Sequence, residues 1–273
     1  MADSVNQEQS FRIGAESSPT NSVRRVVVTG ASSGIGAQTA TRLAADGWSV
    51  VALARREDRL KAVADAIKAD GGACEYKVCD VTDEESTDRV VSEIVAEGPV
   101  KALVNCAGAA FGKDPVATAR LEDWRGMYEL NVLGTLRIIQ KLLPTLKQSE
   151  GTVLIVSSTA GIEPYEGGSG YCASKFAERV MARVLRLEQV GEPIRIIDVS
   201  PGLVQTEEFS LKRFGGDHSK ADSVYEGVPD PLHADDIAES IRWALDLPDT
   251  VDVDSIVIRP RAEGSYTKLH REG

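Results

Sequence analysis

Cysteine and histidine are scarce in this chain, and their scarcity narrows its chemistry. Cys74, Cys79, Cys106 and Cys172 are scattered along 273 residues, together with His218, His233 and His270. Cys74 and Cys79 have no matching second pair and no histidine nearby, so the spacing argues against a zinc site and we expect no metal. Three of the cysteines lie in or beside apolar, strand-like runs, and disulfides are not expected in a reducing compartment. Positive charge is also short: 31 Lys and Arg face 42 Asp and Glu, a formal net charge of −11. Such a chain lacks the basic face that nucleic-acid phosphates or an anionic membrane surface would require. No apolar run reaches the ~18 residues needed to span a bilayer. Residues 1–22 lack a basic start followed by an apolar stretch, so they do not read as a secretory signal, and a cytoplasmic protein is expected.

What is present has the proportions of a folded soluble protein, with 42% hydrophobic and 27% charged residues. The length suits one large α/β domain or two small ones. Strand and helix patterns alternate almost without a break. Apolar runs at Val23–Thr29, Trp48–Ala54, Ala73–Cys79, Val100–Asn105, Thr152–Ser157, Ile194–Val199 and Val251–Ile258 read as strands. Helical spacing occupies Ile35–Asp46, Asp58–Ala69, Glu84–Glu97, Leu121–Lys147 (interrupted at Pro144), Tyr171–Val190 and Leu232–Leu245. Seven short apolar strands between amphipathic helices predict a seven-stranded parallel sheet with helices on both faces, in one doubly wound Rossmann-like α/β domain over 23–273. The polar extension 1–22 is expected to be a flexible tail. Residues 203–231 form a long polar insertion of the kind that serves as a lid or substrate loop.

Gly30-Ala-Ser-Ser-Gly34-Ile-Gly36 follows the first strand and opens the first helix. Glycines there let the chain turn sharply and bring backbone N–H groups and a helix N-terminus against a pyrophosphate. About 20 residues further on, an acidic residue would select NAD, whereas arginine accommodates a 2′-phosphate. The second strand ends in Ala54-Arg55-Arg56. These arginines read either as a solvated loop neutralised by Glu57 and Asp58 or as a 2′-phosphate site; on so acidic a chain we favour the latter, hence NADP(H). Asp80 and Asn105, each ending a strand, fall where adenine and ribose contacts are expected.

Tyr171 and Lys175 lie four apart at the start of a helix and so share one face. Ser158 ends a strand thirteen residues upstream, and Asn131 is a polar residue in an otherwise apolar helical stretch, where burial would demand a partner. All four can converge at the carboxyl ends of the strands. A free tyrosine titrates near ~10, too high for a base at neutral pH. The Lys175 ammonium and a positive nicotinamide would lower it. Tyr171 could then take the alcohol proton as hydride leaves, or return it in reduction. Ser158 would steady the developing charge on the carbonyl oxygen, and Asn131 would hold a proton-relaying water.

TGASSGIG (29–36), NCAG (105–108), Asn131, Ser158, Tyr171-Cys-Ala-Ser-Lys175 and Pro201-Gly-Leu-Val-Gln-Thr206 resemble the short-chain dehydrogenase/reductases, in the compact branch of about 250 residues. The resemblance implies Asn131, Ser158, Tyr171 and Lys175 as catalytic. It implies cofactor contacts from Gly30, Ser32, Ser33, Gly34, Ile35, Gly36, Asp80, Val81, Asn105, Ala107, Gly108, Tyr171, Lys175, Pro201, Gly202, Val204 and Thr206, alongside Arg55 and Arg56. Cys106 departs from the family, where Asn is usual. PYEGGSGYCASK (164–175), 206–227 and the ending IRPRAEGSYTKLH (258–270) look similar to the NADP-dependent 3-hydroxy acid (serine/allo-threonine) dehydrogenases. That likeness suggests Tyr165 and Arg213 as substrate residues. A guanidinium fork suits a carboxylate, although Arg213 reads equally well as a lid surface charge.

The expected activity is hydride transfer between NADP(H) and a small alcohol or carbonyl compound, such as a 3-hydroxy acid. A broad aldehyde/ketone reductase and a non-catalytic NADP-binding regulator are the alternatives, the second weakened by the intact Tyr–Lys pair. Family tendency points to a homotetramer or homodimer through the long helices beginning near Leu121 and Tyr171. The apolar ending SYTKL is a second candidate contact with a neighbouring subunit.

Overall fold

The computed structural model describes residues 24–272. The extension 1–22, and Val23 at the head of the first expected strand, lie outside them. Seven strands form one sheet in the order β3-β2-β1-β4-β5-β6-β9, with every neighbouring pair parallel. They are β1 (Arg25–Thr29), β2 (Ser49–Ala54), β3 (Ala73–Val78), β4 (Ala102–Asn105), β5 (Thr152–Val156), β6 (Arg195–Pro201) and β9 (Ser255–Ile258). The crossovers carry α1 (Gly34–Ala45), α2 (Glu57–Ala69), α3 (Glu84–Glu97), α4 (Leu121–Met127), α5 (Gly134–Gln148), α6 (Ser169–Glu188) and α9 (Ala234–Leu245).

The alternation of a strand explains the two cores. Val26 and Val28 of β1 pack with Leu43, Leu60 and Ile241, from α1, α2 and α9. Val27 points the other way, among Ile94, Ile138, Leu142 and Ala182 from α3, α5 and α6. A sheet buried on both faces needs apolar residues at successive positions, which is why β1 reads as an unbroken run. Truncating a fully buried member such as Leu142 to Ala would cost about 2–5 kcal/mol. Strand order reverses between β1 and β4, opening a crevice at their carboxyl ends where such sheets bind ligands.

Two elements differ from expectation. The long helical stretch is not interrupted at Pro144, which lies inside α5. Pro144 and Gln140, whose carbonyl loses its partner, are both exposed, so water can replace the missing hydrogen bond. The break falls instead at Tyr128–Leu133, a π-helix. The last strand starts at Ser255, not Val251, because the Arg195 guanidinium draws Val251 aside, donating to its carbonyl and to those of Ala244, Leu245 and Leu247. Between β6 and α9 the polar insertion folds as β7 (Val204–Gln205), α7 (Phe209–Arg213) and α8 (His218–Ser223), and β7 pairs with β8 (Leu232–His233). A terminal hairpin, β10 (Glu263–Ser265) and β11 (Lys268–Leu269), follows β9. Its turn packs on this same chain, Tyr266 stacking on Tyr165. No helix among the described residues is long and apolar enough to cross a membrane.

Candidate active site

The turn after β1 is closed by steric necessity. Gly30 has φ +66°, and a Cβ there would lie 2.9 Å from the Ala107 backbone. A Cβ on Gly36 would lie 2.4 Å from the Gly30 carbonyl oxygen. The Thr29 hydroxyl accepts from the amides of Cys106 and Ala107, both at 3.1 Å, and so ties the ends of β1 and β4 together. These contacts use the Cys106 backbone, so Cys at a position where Asn is usual leaves them intact. Ser33, which precedes α1, makes no side-chain cap bond, and the positive end of α1 is left for an anion.

A cavity of about 670 Å³ opens over this turn. Of the residues singled out from the sequence, Gly30, Ser32 to Gly36, Arg55, Arg56, Val81, Ala107 and Gly108 line its first half. Ser158, Tyr165, Tyr171, Lys175, Pro201, Gly202, Val204, Thr206 and Arg213 line the rest. Asp80, Asn105 and Asn131 do not. Asp80 lies at the edge, its carboxylate accepting from the amide and hydroxyl of Thr82. Asn105 is buried at the end of β4, its Nδ2 without a partner among the described residues.

The two arginines part company. Arg55 is mostly exposed, and among the described residues its one counter-ion is Asp80, at 3.9 Å. Arg56 turns onto the glycine-rich turn, donating to the hydroxyls of Ser32 at 3.0 Å and Ser33 at 3.1 Å. Its counter-ion is not Glu57 or Asp58 but Glu208 of the insertion, at 2.6 Å. Hydroxyls, a guanidinium and an uncapped helix end make a donor set that fits a phosphate-bearing dinucleotide.

At the other end, α6 brings Tyr171 and Lys175 inward from its first turns, both buried. The Lys175 ammonium donates to the Val156 carbonyl at 3.1 Å and lies 5.9 Å from the centre of the Tyr171 ring. Ser158 follows β5, its hydroxyl accepting from the Ala160 amide at 3.0 Å. Gly108 separates two of these groups: a Cβ there would meet Asn131 Oδ1 at 3.2 Å and Lys175 Nζ at 3.4 Å. Burial pushes the Tyr171 phenol up, while the Lys175 charge and the Ser158 hydroxyl pull it down. The net direction is upward, so Lys175 acts in the expected sense but does not by itself overcome desolvation.

Asn131 is buried, as its setting implied, but its side chain is spent on protein. It accepts from the Ala109 amide at 2.9 Å and donates to the Ala109 carbonyl and the Ser174 hydroxyl. Ser174 donates in turn to the Tyr171 carbonyl at 2.9 Å. These three bonds occupy the Asn131 side chain with protein partners. It pins the segment after β4 to the helix bearing Tyr171, from a π-turn of the sort often found at functional sites.

Three residues escaped the sequence reading. Glu178 is buried 2.6 Å from Lys175 Nζ, and burial pushes its carboxyl up to about 7 although Lys175 opposes this. Its position three residues beyond Lys175 could have revealed it. Glu208 and Tyr266 gave no local signal, since their partners lie far along the chain. Tyr165 and Arg213 do meet: Arg213 Nη1 donates to the Tyr165 hydroxyl at 2.8 Å, and Nε to the Gly112 carbonyl at 3.2 Å. Arg213 is buried, its guanidinium carbon 5.4 Å from the Tyr165 ring centre and 5.9 Å from that of Tyr171. Its Nη2 has no partner among the described residues.

A profile of the family described as short chain dehydrogenase matches residues 24–213. Over 246 residues the chain is 48% identical to an oxidoreductase of Mycobacterium tuberculosis, spanning 90% of this chain and 94% of the relative. Serine 3-dehydrogenase of Agrobacterium fabrum is 37% identical over 237 residues, 86% of this chain and 93% of that protein. Among solved structures, the closed form of serine dehydrogenase complexed with NADP+ matches with a TM-score of 0.84 at 32% identity, covering 91% of this chain and 99% of that one.

Proposed function

The chain belongs to the short chain dehydrogenase family, and from that premise we propose an NADP(H)-dependent oxidoreductase that interconverts a small 3-hydroxy acid and its carbonyl form. The observation that carries the acid is the buried Arg213 Nη2, without a partner among the described residues, on a guanidinium lying over the Tyr171 ring. A buried, unpaired N–H of a charged group is costly, and a substrate carboxylate would satisfy it. Likeness to serine 3-dehydrogenase and to an NADP+ complex supports both substrate class and cofactor.

The bound nicotinamide supplies the acceptor or donor of hydride. In the oxidative direction the Tyr171 phenolate takes the substrate hydroxyl proton while hydride leaves the adjacent carbon; in reduction Tyr171 gives that proton back. Lys175 favours the phenolate by its charge, and Ser158 hydrogen-bonds the substrate oxygen on which charge develops. Arg213 and Tyr165 hold the acid group. Gly30 to Gly36, Asn105 and Thr206 seat the dinucleotide, with Arg56 nearest its 2′-phosphate and Arg55 and Asp80 at the edge. The enzyme works in the cytoplasm as a homodimer or homotetramer.

Purified protein is assayed by NADPH absorbance, with NADP+ plus serine, 3-hydroxyisobutyrate or neutral alcohols, and with NADPH plus carbonyl compounds. Tyr171→Phe should lower turnover by about a hundredfold or more. Arg213→Ala should raise KM for the acids by about tenfold to a hundredfold, with neutral substrates little changed. Turnover no greater than that of Tyr171→Phe would refute the enzyme; neutral substrates preferred over acids would refute the substrate class.

A further inference from the structure

Glu208, immediately before α7, is a lid residue whose carboxylate is bound like a ligand. Arg56 Nη1 donates to its Oε1 at 2.6 Å, and Arg59 Nη1 lies 2.8 Å from the same oxygen. Ser33 donates to Oε2 at 3.2 Å, and Lys212 Nζ lies 2.6 Å from it. The side chain is only 14% exposed. Ser33, Arg56 and Arg59 come from the glycine-rich turn, the residue before α2 and the start of α2, 149 to 175 residues from Glu208 in sequence. A fork of guanidinium donors with a hydroxyl and an ammonium is what a phosphate monoester also recruits. It stands where the reading above puts the 2′-phosphate.

We infer that Glu208 is a specificity-determining residue: an internal anion seated in the 2′-phosphate site, which NADP(H) must displace and NAD(H) need not. The inference rests on the NADP(H) reading. A carboxylate and a phosphate cannot share these donors, because like charges in contact repel and each needs the same N–H groups. Burial works against ionisation of Glu208, but hydrogen bonds from Arg56 and Lys212 outweigh it and bring the carboxyl down to about 2. The seat is thus filled by an anion at every pH near neutrality.

Displacement acts on the substrate side as well. The next residue, Phe209, meets the Tyr171 ring edge-on with ring centres 5.6 Å apart, and α7 ends in Arg213. A displacement that carries the Glu208 backbone with it would move the segment that covers Tyr171 and carries the proposed carboxylate anchor. Linkage requires the coupling to run both ways, so an acid held by Arg213 alters the ease with which the phosphate enters.

The test titrates wild type, Glu208→Gln, Glu208→Ala and Arg56→Ala with NADPH, NADH and adenosine 2′-monophosphate by calorimetry, with circular dichroism to verify folding. Both Glu208 variants should bind NADPH and adenosine 2′-monophosphate about tenfold more tightly than wild type, and NADH within about twofold. Arg56→Ala should lose affinity for the two 2′-phosphates alone. If Glu208 instead only orients Arg56, its removal weakens or leaves unchanged the binding of NADPH, and the inference is overturned. A tightening shared equally by NADH overturns it too. A wild type that prefers NADH and ignores adenosine 2′-monophosphate refutes the NADP(H) reading and the inference with it, a result distinct from the others.

Discussion

Glu178 stands one helical turn beyond Lys175, on the face of α6 that also carries Tyr171, and its carboxylate decides how much of the lysine charge the phenol feels. Lys175 is held above its usual range: burial works to lower it, but Glu178 and Tyr171 outweigh that effect. Asp198 on β6 adds negative charge from the sheet, and Arg213 adds positive charge from α7. With its carboxyl at about 7, Glu178 is ionised on the alkaline side of neutrality, where the phenolate must form. It opposes that second negative charge. Glu178→Gln should therefore move the ascending limb of the oxidation profile to lower pH, by about one unit. An upward shift would mean that Lys175 keeps its charge only through Glu178. Tyr171, Lys175, Ser158 and the glycines were legible because local spacing and strand ends define them. The pairs Arg56–Glu208, Tyr165–Arg213 and Asn131–Ala109 were not, since sequence records that a buried Asn131 needs a partner but not which one arrives.

At the scale of elements, the strands and helices that alternate most regularly were legible because each must bury a continuous apolar face. Deviations arose where one side chain outbids the pattern: Arg195 draws Val251 out of the ladder, and the π-turn at Tyr128–Leu133 buries Asn131. The segment after β6 was readable as an insertion but not as a folded unit, because its anchor is an ion-pair cluster and not an apolar stripe. That anchor makes its docking pH-dependent, and the sign follows from Glu208. Its carboxyl is lowered from 4.5 to about 2 on docking, so its contribution is complete above about 4.5 and is lost as the pH falls towards 2. Hydrogen exchange of amides in 209–225, corrected for intrinsic rate, should show level protection from neutrality to pH ~5 and a fall below it. Glu208→Gln should lack this step. A step of equal size in both proteins would assign it to other carboxylates.

For the whole molecule, the outer face of α6 is an exposed apolar surface. Phe176, Val180, Val184 and Leu187 recur at helical spacing and are exposed, Val180 at 56% and Leu187 at 74%. Leu121 and Tyr128, exposed on the preceding helical stretch, extend the apolar surface. Single exposed apolar residues are ordinary, but a stripe along the helix that carries Tyr171 on its inner side is a surface on which the proposed homodimer or homotetramer would pack. In the proposed homodimer or homotetramer, α6 packing on α6 would join the outer faces of two active-site helices. Two copies, each of net charge −11, repel at long range, so apolar burial must hold them together against electrostatics. Added salt screens that repulsion beyond about 10 Å at 0.1 M, and association should tighten from low to moderate ionic strength. Sedimentation velocity should show wild type as a dimer or tetramer. Val180→Asp with Leu187→Asp should dissociate it, because paired subunits would then face like charges across a dry contact. Circular dichroism of the variant should remain that of a folded α/β chain, since both substitutions point away from the core. A monomeric wild type, or an assembly unmoved by the two aspartates, would place the contact elsewhere.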